Sequence, residues 1–143
     1  MIIDKDNIAE YVHARHLLDV PPEADYSVVQ LGGGFLNTVL RISCGGQSII
    51  VKQALDALRL FPDLKVTTDR IVFEHQALIK LNELFPEQTM PPILRFDDAD
   101  RILVMGDLGQ TPLLEPMLLN GQVDPVTAER LGTFLAELHR RAY

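Results

Sequence analysis

The sequence predicts an α+β domain built on a five-stranded antiparallel sheet, with one helix between its strands and further helices towards both ends. Two observations carry this. Two glycine turns, Gly32-Gly33-Gly34 and Gly45-Gly46, join three β-rich runs in the manner of an antiparallel meander. After a helical stretch, two more short apolar runs flank the polar turn Asp97-Asp98-Ala99-Asp100. Strands grouped in blocks, without regular βαβ alternation, give α+β and not a parallel sheet.

The first helix is expected from a cap at Asp6 or Asn7 to about Leu18, with Ile8, Tyr11, Val12 and Leu18 on its apolar side and Pro21-Pro22 as its stop. From Tyr26 the period becomes strand-like: residues 27–31, 38–43 and 48–53 form the meander. Residues 63–68 lead into a helix capped near Thr67 or Thr68 and running to Phe85, where Pro86 follows. Strands at 93–96 and 101–105 come next, then an irregular stretch holding Pro112 and Pro116. Asp124 caps a last helix, with Pro125 at its first position and Leu131, Leu135 and Leu138 on one side.

Composition narrows the class. At 143 residues, 47% hydrophobic and 23% charged, the chain is one globular domain's worth. A net charge of −7 argues against a nucleic-acid partner, because phosphate contacts need clustered Lys and Arg. The pair Arg140-Arg141 sits at a helix tail, where it complements the helix dipole. Cys44 is the only cysteine, so no intrachain disulfide can form. No signal-peptide pattern opens the chain and no apolar run is long enough to span a membrane, so a cytoplasmic location is expected.

The residue with most to say is Lys52, in Ile49-Ile50-Val51-Lys52-Gln53. A strand lysine usually points to solvent, but this run looks buried on both faces, and a buried ammonium needs a carboxylate or phosphate partner. Glu74 supplies one. Ile71, Glu74, Leu78, Leu81 and Phe85 follow helical spacing, so the carboxylate lies within an apolar stripe. Three glycines alone mean a hairpin turn; with Lys52 and Glu74 in order behind them, they mean backbone N–H groups free to approach phosphate. A P-loop is excluded, since Phe35-Leu36-Asn37 follow the glycines in place of Lys-Ser or Lys-Thr. A dinucleotide fingerprint is excluded too, because a strand and not a helix comes next. His13, His16, His75 and His139 do not suggest a metal site.

These residues resemble the aminoglycoside phosphotransferase and choline kinase-like superfamily, most closely its methylthioribose kinase branch. The resemblance rests on residues 31–42 as nucleotide loop, 49–55 as lysine strand, Thr68-Asp69-Arg70 with Glu74 as the glutamate-bearing helix, Met105-Gly106-Asp107-Leu108 as hinge, and 131–139 as the helix towards a second lobe. It implies a protein kinase-like N-terminal lobe that binds ATP. Gly32, Gly33, Gly34, Phe35 and Asn37 would cover the phosphates, Lys52 would touch them with Glu74 behind it, and Met105, Gly106 and Leu108 would hold adenine. Relatives often carry Asp and Asn where this chain has Gly33 and Phe35. The family's His-Gly-Asp catalytic run and later metal-binding Asp have no counterpart in the 143 residues.

The expectation is therefore a helix and linker at 1–25, a nucleotide lobe at 26–108 and a linker with a first helix at 109–143, leading to a missing C-terminal lobe. ATP would be the cofactor, with Mg²⁺ and a small-molecule hydroxyl acceptor brought by that lobe. The segment alone would be inactive, and its exposed apolar C-terminal surface would favour self-association. The alternative is a kinase-derived interaction or dimerisation module without catalysis.

Overall fold

The computed structural model describes every residue except 22, 33, 88, 89 and 143. In chain order the elements are α1 (Ile8–Ala14), β1 (Ser27–Gln30), β2 (Asn37–Cys44), β3 (Gln47–Ala54), α2 (Arg70–Leu84), β4 (Ile93–Asp97), β5 (Ile102–Gly106), α3 (Leu114–Leu119) and α4 (Pro125–Ala142). The strands form one five-stranded sheet in the order β1-β2-β3-β5-β4. Every neighbouring pair is antiparallel. The α+β class and the antiparallel sheet are those expected, with four helices among the described residues.

β3 is the central strand. Its register sets Lys52 opposite Val39 of β2 and Leu103 of β5. Side chains alternate across a strand, so each face of the sheet draws on every second residue. One face collects Leu40, Ile42, Ile49, Val51, Ile102 and Val104, and α1 seals it with Ile8, Tyr11 and Val12. The opposite face carries Ala54, Leu103 and Met105 against Ile71 of α2, with Ile50, Val72, Leu78 and Phe96 around them. Helices thus cover β3 from both sides, which accounts for its unbroken apolar run.

Gln53 is a buried polar residue on the α1 side. Its amide oxygen accepts from Ile3 N–H at 2.8 Å, and its amide nitrogen donates to the carbonyls of Met1 and Asp100 at 2.7 and 2.9 Å. Such a group stays buried only when satisfied. It ties the segment before α1 to the sheet and to the β4–β5 turn. On the same side Arg15 stacks over Tyr11 and pairs with Asp97 at 3.1 Å.

Three differences from the sequence reading have physical causes. The first helix stops at Ala14, not Leu18: His16 takes a left-handed conformation (φ 51°), and the N–H groups of His16 and Leu17 close onto His13 and Val12 carbonyls. Histidine is a weaker stop signal than glycine, so the later prolines drew the boundary instead. The stretch expected to be irregular contains α3, because Pro116 falls in its first turn, where a missing N–H costs nothing. α2 begins after Asp69, one or two residues later than the threonine caps implied, and ends one residue before Phe85. The last helix begins at Pro125 as expected, and Asp124 Oδ1 accepts from Thr127 N–H at 2.7 Å.

α4 buries none of its residues fully. It meets the end of α2 through Phe134 on Phe85, the residue just past the helix, with ring centroids 5.0 Å apart, and through Arg141. That arginine lies over the Phe85 ring, donates to Leu84 O and pairs with Glu137 and Glu87. Arg140 pairs with Glu137. The basic pair is structural, as read from the sequence.

Gly106 ends β5 pressed against the residue before β4. Its N–H donates to Pro92 O at 2.8 Å, and a Cβ there would lie 2.6 Å from Pro92 Cγ and 2.9 Å from Cδ. A proline ring cannot swing aside. Gly106→Ala should therefore lower stability by about 1–3 kcal/mol, the usual cost of overpacking, as read from urea unfolding. An unchanged midpoint would mean that the strand end yields freely.

Candidate functional site

Lys52 and Glu74 meet. Lys52 Nζ donates to Glu74 Oε1 at 2.7 Å, from β3 to the start of the second turn of α2. The lysine side chain is 21% exposed and the glutamate 35%, so the pair is roofed but not dry. This is the only hydrogen bond from Nζ among the described residues, which leaves two of its three donors available.

The glycine turn spans the gap from β1 to β2, closed at its base by Leu31 N–H on Val39 O at 2.9 Å. Gly32 sits at φ 68°, a left-handed conformation that side-chain-bearing residues rarely adopt. Gly33 lies outside the described residues. The descending limb is fastened to the chain after β3: Leu55 N–H donates to Leu36 O at 3.0 Å, and Arg59 N–H to Phe35 O at 3.1 Å. Phe35 itself is exposed. Asn37 turns its side-chain oxygen to Arg70 Nε at 3.3 Å, and Arg70 also donates to the carbonyls of Leu36, Leu55 and Thr67.

At the end of β5 the chain is held by charge. Arg41 Nη2 donates to Asp107 Oδ1 at 3.0 Å, and its Nε stands 2.7 Å from Oδ2 as an ion-pair contact. Ser48 Oγ donates to Oδ2 at 2.7 Å and Gly109 N–H to Oδ1 at 2.9 Å. The Asp107 side chain is only 9% exposed. Desolvation raises its pKa, but the hydrogen bonds from Ser48, Arg41 and Gly109 and the Arg41 charge outweigh that and hold the carboxyl below its ordinary value.

Between this corner and the glycine turn opens a cleft of about 450 Å³, whose walls include Leu31, Gly32, Ile50, Met105, Gly106 and Leu108. Ile50 and Lys52 share one face of β3, about 7 Å apart along the strand. The sheet face left open by α2 therefore offers an apolar slot at one end and an ammonium at the other. Such a surface suits a flat apolar group joined to a polyanion.

Of the residues expected at the site, Gly32, Met105, Gly106 and Leu108 share the cleft, while Lys52 and Glu74 pair beside it. Asn37 faces Arg70 and not the cleft. Gly106 N–H is already engaged by Pro92. Sequence reasoning gave no role to Arg41 and Ser48, which only the registers of β2–β3 and β3–β5 together bring to Asp107. It also passed over Arg70 as a contact, although its position four residues before Glu74 puts both on one helical face.

No protein-family model matches the sequence. Among curated proteins the chain is 31% identical over 119 residues to the methylthioribose kinase of Yersinia pseudotuberculosis serotype O:1b (strain IP 31758), covering 81% of this chain and 29% of that protein. The methylthioribose kinase of Bacillus cereus (strain G9842) is 29% identical over 119 residues, covering 81% of this chain and 30% of its own length. The 4-hydroxytryptamine kinase of Psilocybe cyanescens is 26% identical over 152 aligned positions, covering 94% of this chain and 41% of that protein. The chain is a homologue of these kinases over four fifths or more of its own length. It spans about three tenths of the length of the methylthioribose kinases it matches.

Two measurements check the geometry of this kinase homologue. A double-mutant cycle on Lys52→Met and Glu74→Gln should give a coupling of about 0.5–1 kcal/mol, since both partners are partly solvated; zero coupling would remove the pair. Asp107→Asn should cost about 2 kcal/mol at neutral pH by leaving Arg41 and Ser48 poorly matched. Because the folded pKa is lowered, that contribution is fully present above the ordinary carboxylate range and is lost as pH falls through the lowered value. The stability gap between the two proteins should therefore close below about pH 4. A gap that persists in acid would mean that the carboxylate charge is not what holds the corner.

Proposed function

We propose that residues 26–108 are the nucleotide-binding lobe of an ATP-dependent small-molecule kinase, of protein kinase-like fold, with 1–25 packed behind it and 109–143 leading towards a second lobe. The observation that carries this reading is that one open face of the sheet joins the apolar cleft at 105–108 to the Lys52–Glu74 pair. The homology to kinases supports it.

In this reading adenine enters the slot between Leu31, Ile50, Met105 and Leu108. Leu108 N–H would be the backbone donor for it, and Gly106 N–H would not, since Pro92 O already takes it. The phosphates extend under Gly32, Gly33, Gly34, Phe35 and Asn37 towards Lys52, whose remaining donors meet phosphate oxygens while Glu74 fixes its direction. The acceptor is a small-molecule hydroxyl. Phosphoryl transfer also needs a carboxylate at that hydroxyl and Mg²⁺ on the phosphates. Asp107 is bound into the corner by Arg41 and Ser48, and Asp124 caps α4, so neither is free for the task. Those groups belong to residues outside these 143, and the segment by itself grips nucleotide without turning it over. The exposed Leu118, Leu119, Val126, Leu131 and Leu135 are the surface such a lobe, or a second copy, would cover.

Titration with ADP or ATP should shift the amide resonances of 32–37, Lys52 and 106–108, with a Kd of about 0.1–1 mM. No shift at millimolar nucleotide would overturn the nucleotide reading and leave an interaction module. No ADP should be released with small alcohols or methylthioribose as acceptors; turnover abolished by Lys52→Ala would show that a catalytic carboxylate lies within these residues. Light scattering should show self-association, and a clean monomer at high concentration would count against that part.

A further inference from the structure

We infer that Arg70 is a positioning residue for the phosphate end of the site, tying the exit of the glycine turn to the helix that carries Glu74. The inference rests on the nucleotide reading above. Arg70 is the first residue of α2, one helical turn before Glu74, so the two side chains leave the same helical face. Its guanidinium reaches three separate segments. Nη2 donates to Leu55 O at 2.8 Å, just past β3, and to Leu36 O at the turn's exit; Nε donates to Asn37 Oδ1 at 3.3 Å; Nη1 donates to Thr67 O before α2.

All four acceptors are neutral. Among the described residues no carboxylate comes within ion-pair distance of Arg70, unlike Arg15, Arg41, Arg101, Arg140 and Arg141. Burial accordingly pushes its pKa down, with no opposing charge to restore it. Leu55 N–H already joins the turn's exit to the chain after β3, and the planar fork of five donors adds the segment before α2 to that junction, a span that an ammonium cannot cover. The charge left over stands beside the turn that would cover phosphate.

α2 thereby controls both grips on the phosphates: through Glu74 it aims Lys52, and through Arg70 it sets the height of the turn. The adenine slot is independent of this clamp, since none of Leu36, Asn37, Leu55 or Thr67 lines it. Arg70 should therefore matter for phosphate and not for base. That separates positioning from general support of the fold.

The test uses the 143-residue chain with Arg70→Lys and Arg70→Met, titrated in parallel with ADP and adenosine, and followed by amide hydrogen exchange without ligand. Both variants should bind ADP about tenfold more weakly than the parent, the scale expected for losing charge-assisted hydrogen bonds, while adenosine affinity stays within about twofold. Exchange at Leu55 and Arg59, whose N–H groups hold the descending limb, should accelerate, while Val51 and Val104 in the sheet centre keep their protection. Equal losses for ADP and adenosine would reduce Arg70 to a fold-supporting residue, and unchanged ADP affinity would overturn the proposal. If the parent chain binds neither ligand, the nucleotide reading falls; the exchange data then decide by themselves whether Arg70 fixes the turn, and unaltered exchange at Leu55 and Arg59 would end the proposal too.

Discussion

The central strand β3 is covered on both faces, and most of the structure follows from that. Ile49, Val51 and Gln53 look towards α1, while Ile50, Lys52 and Ala54 look towards α2 and the cleft. A strand buried this way cannot carry an unpaired charge in its middle, so Lys52 obliges the α2 face to supply a carboxylate. That carboxylate can reach only if α2 crosses the sheet with Glu74 turned inwards. The crossing is fixed by Ile71, which is fully buried against Ala54, Leu103 and Met105. Apolar packing therefore aims an ion pair whose own net stabilisation is small.

A second constraint works at the far end of the same face. β5 must leave the sheet between Pro92 and Arg41 without closing the slot. The absence of a side chain at Gly106 admits the Pro92 ring, and Asp107 locks the next residue onto Arg41, Ser48 and Gly109. The chain then turns outwards, with Leu108 exposed at the rim. An aspartate that sequence alone could offer as a catalytic stand-in is thus spent on geometry. Its lowered pKa has the same origin as its rigidity, since each bond that orients the carboxylate also favours its charge.

The legible parts of the sequence were those where one residue type has one strong preference. Gly45-Gly46 gave the β2–β3 turn, and both residues sit at positive φ. Pro125 after Asp124 gave the start of α4, and a charge inside an apolar stripe gave the Lys52–Glu74 pair. What stayed hidden depends on register or on weak preferences. Arg41 and Ser48 read as ordinary residues of half-buried strands until antiparallel pairing sets both beside Asp107. Gln53 was given no partner by the sequence, yet it is buried and employed on three backbone groups from two distant segments. Pro116 reads as a breaker, because proline's cost vanishes only in a first turn whose start could not be located.

The distribution of exposure would let this face grip an anion, as proposed above, without being destabilised when it is empty. Lys52 is screened enough to be held by Glu74, yet open enough to keep water on its remaining donors. A drier pair would leave those donors unsatisfied in the free protein, at a cost of about 1–3 kcal/mol each. A wetter one would let the ammonium swing among rotamers and lose its aim. Arg70 solves the same problem differently, by placing its donors on carbonyls of the chain itself, so that its charge is held rigidly with no anion present. One cation is thus free to meet a ligand and the other is fixed to shape the turn above it, and α2 carries or anchors both.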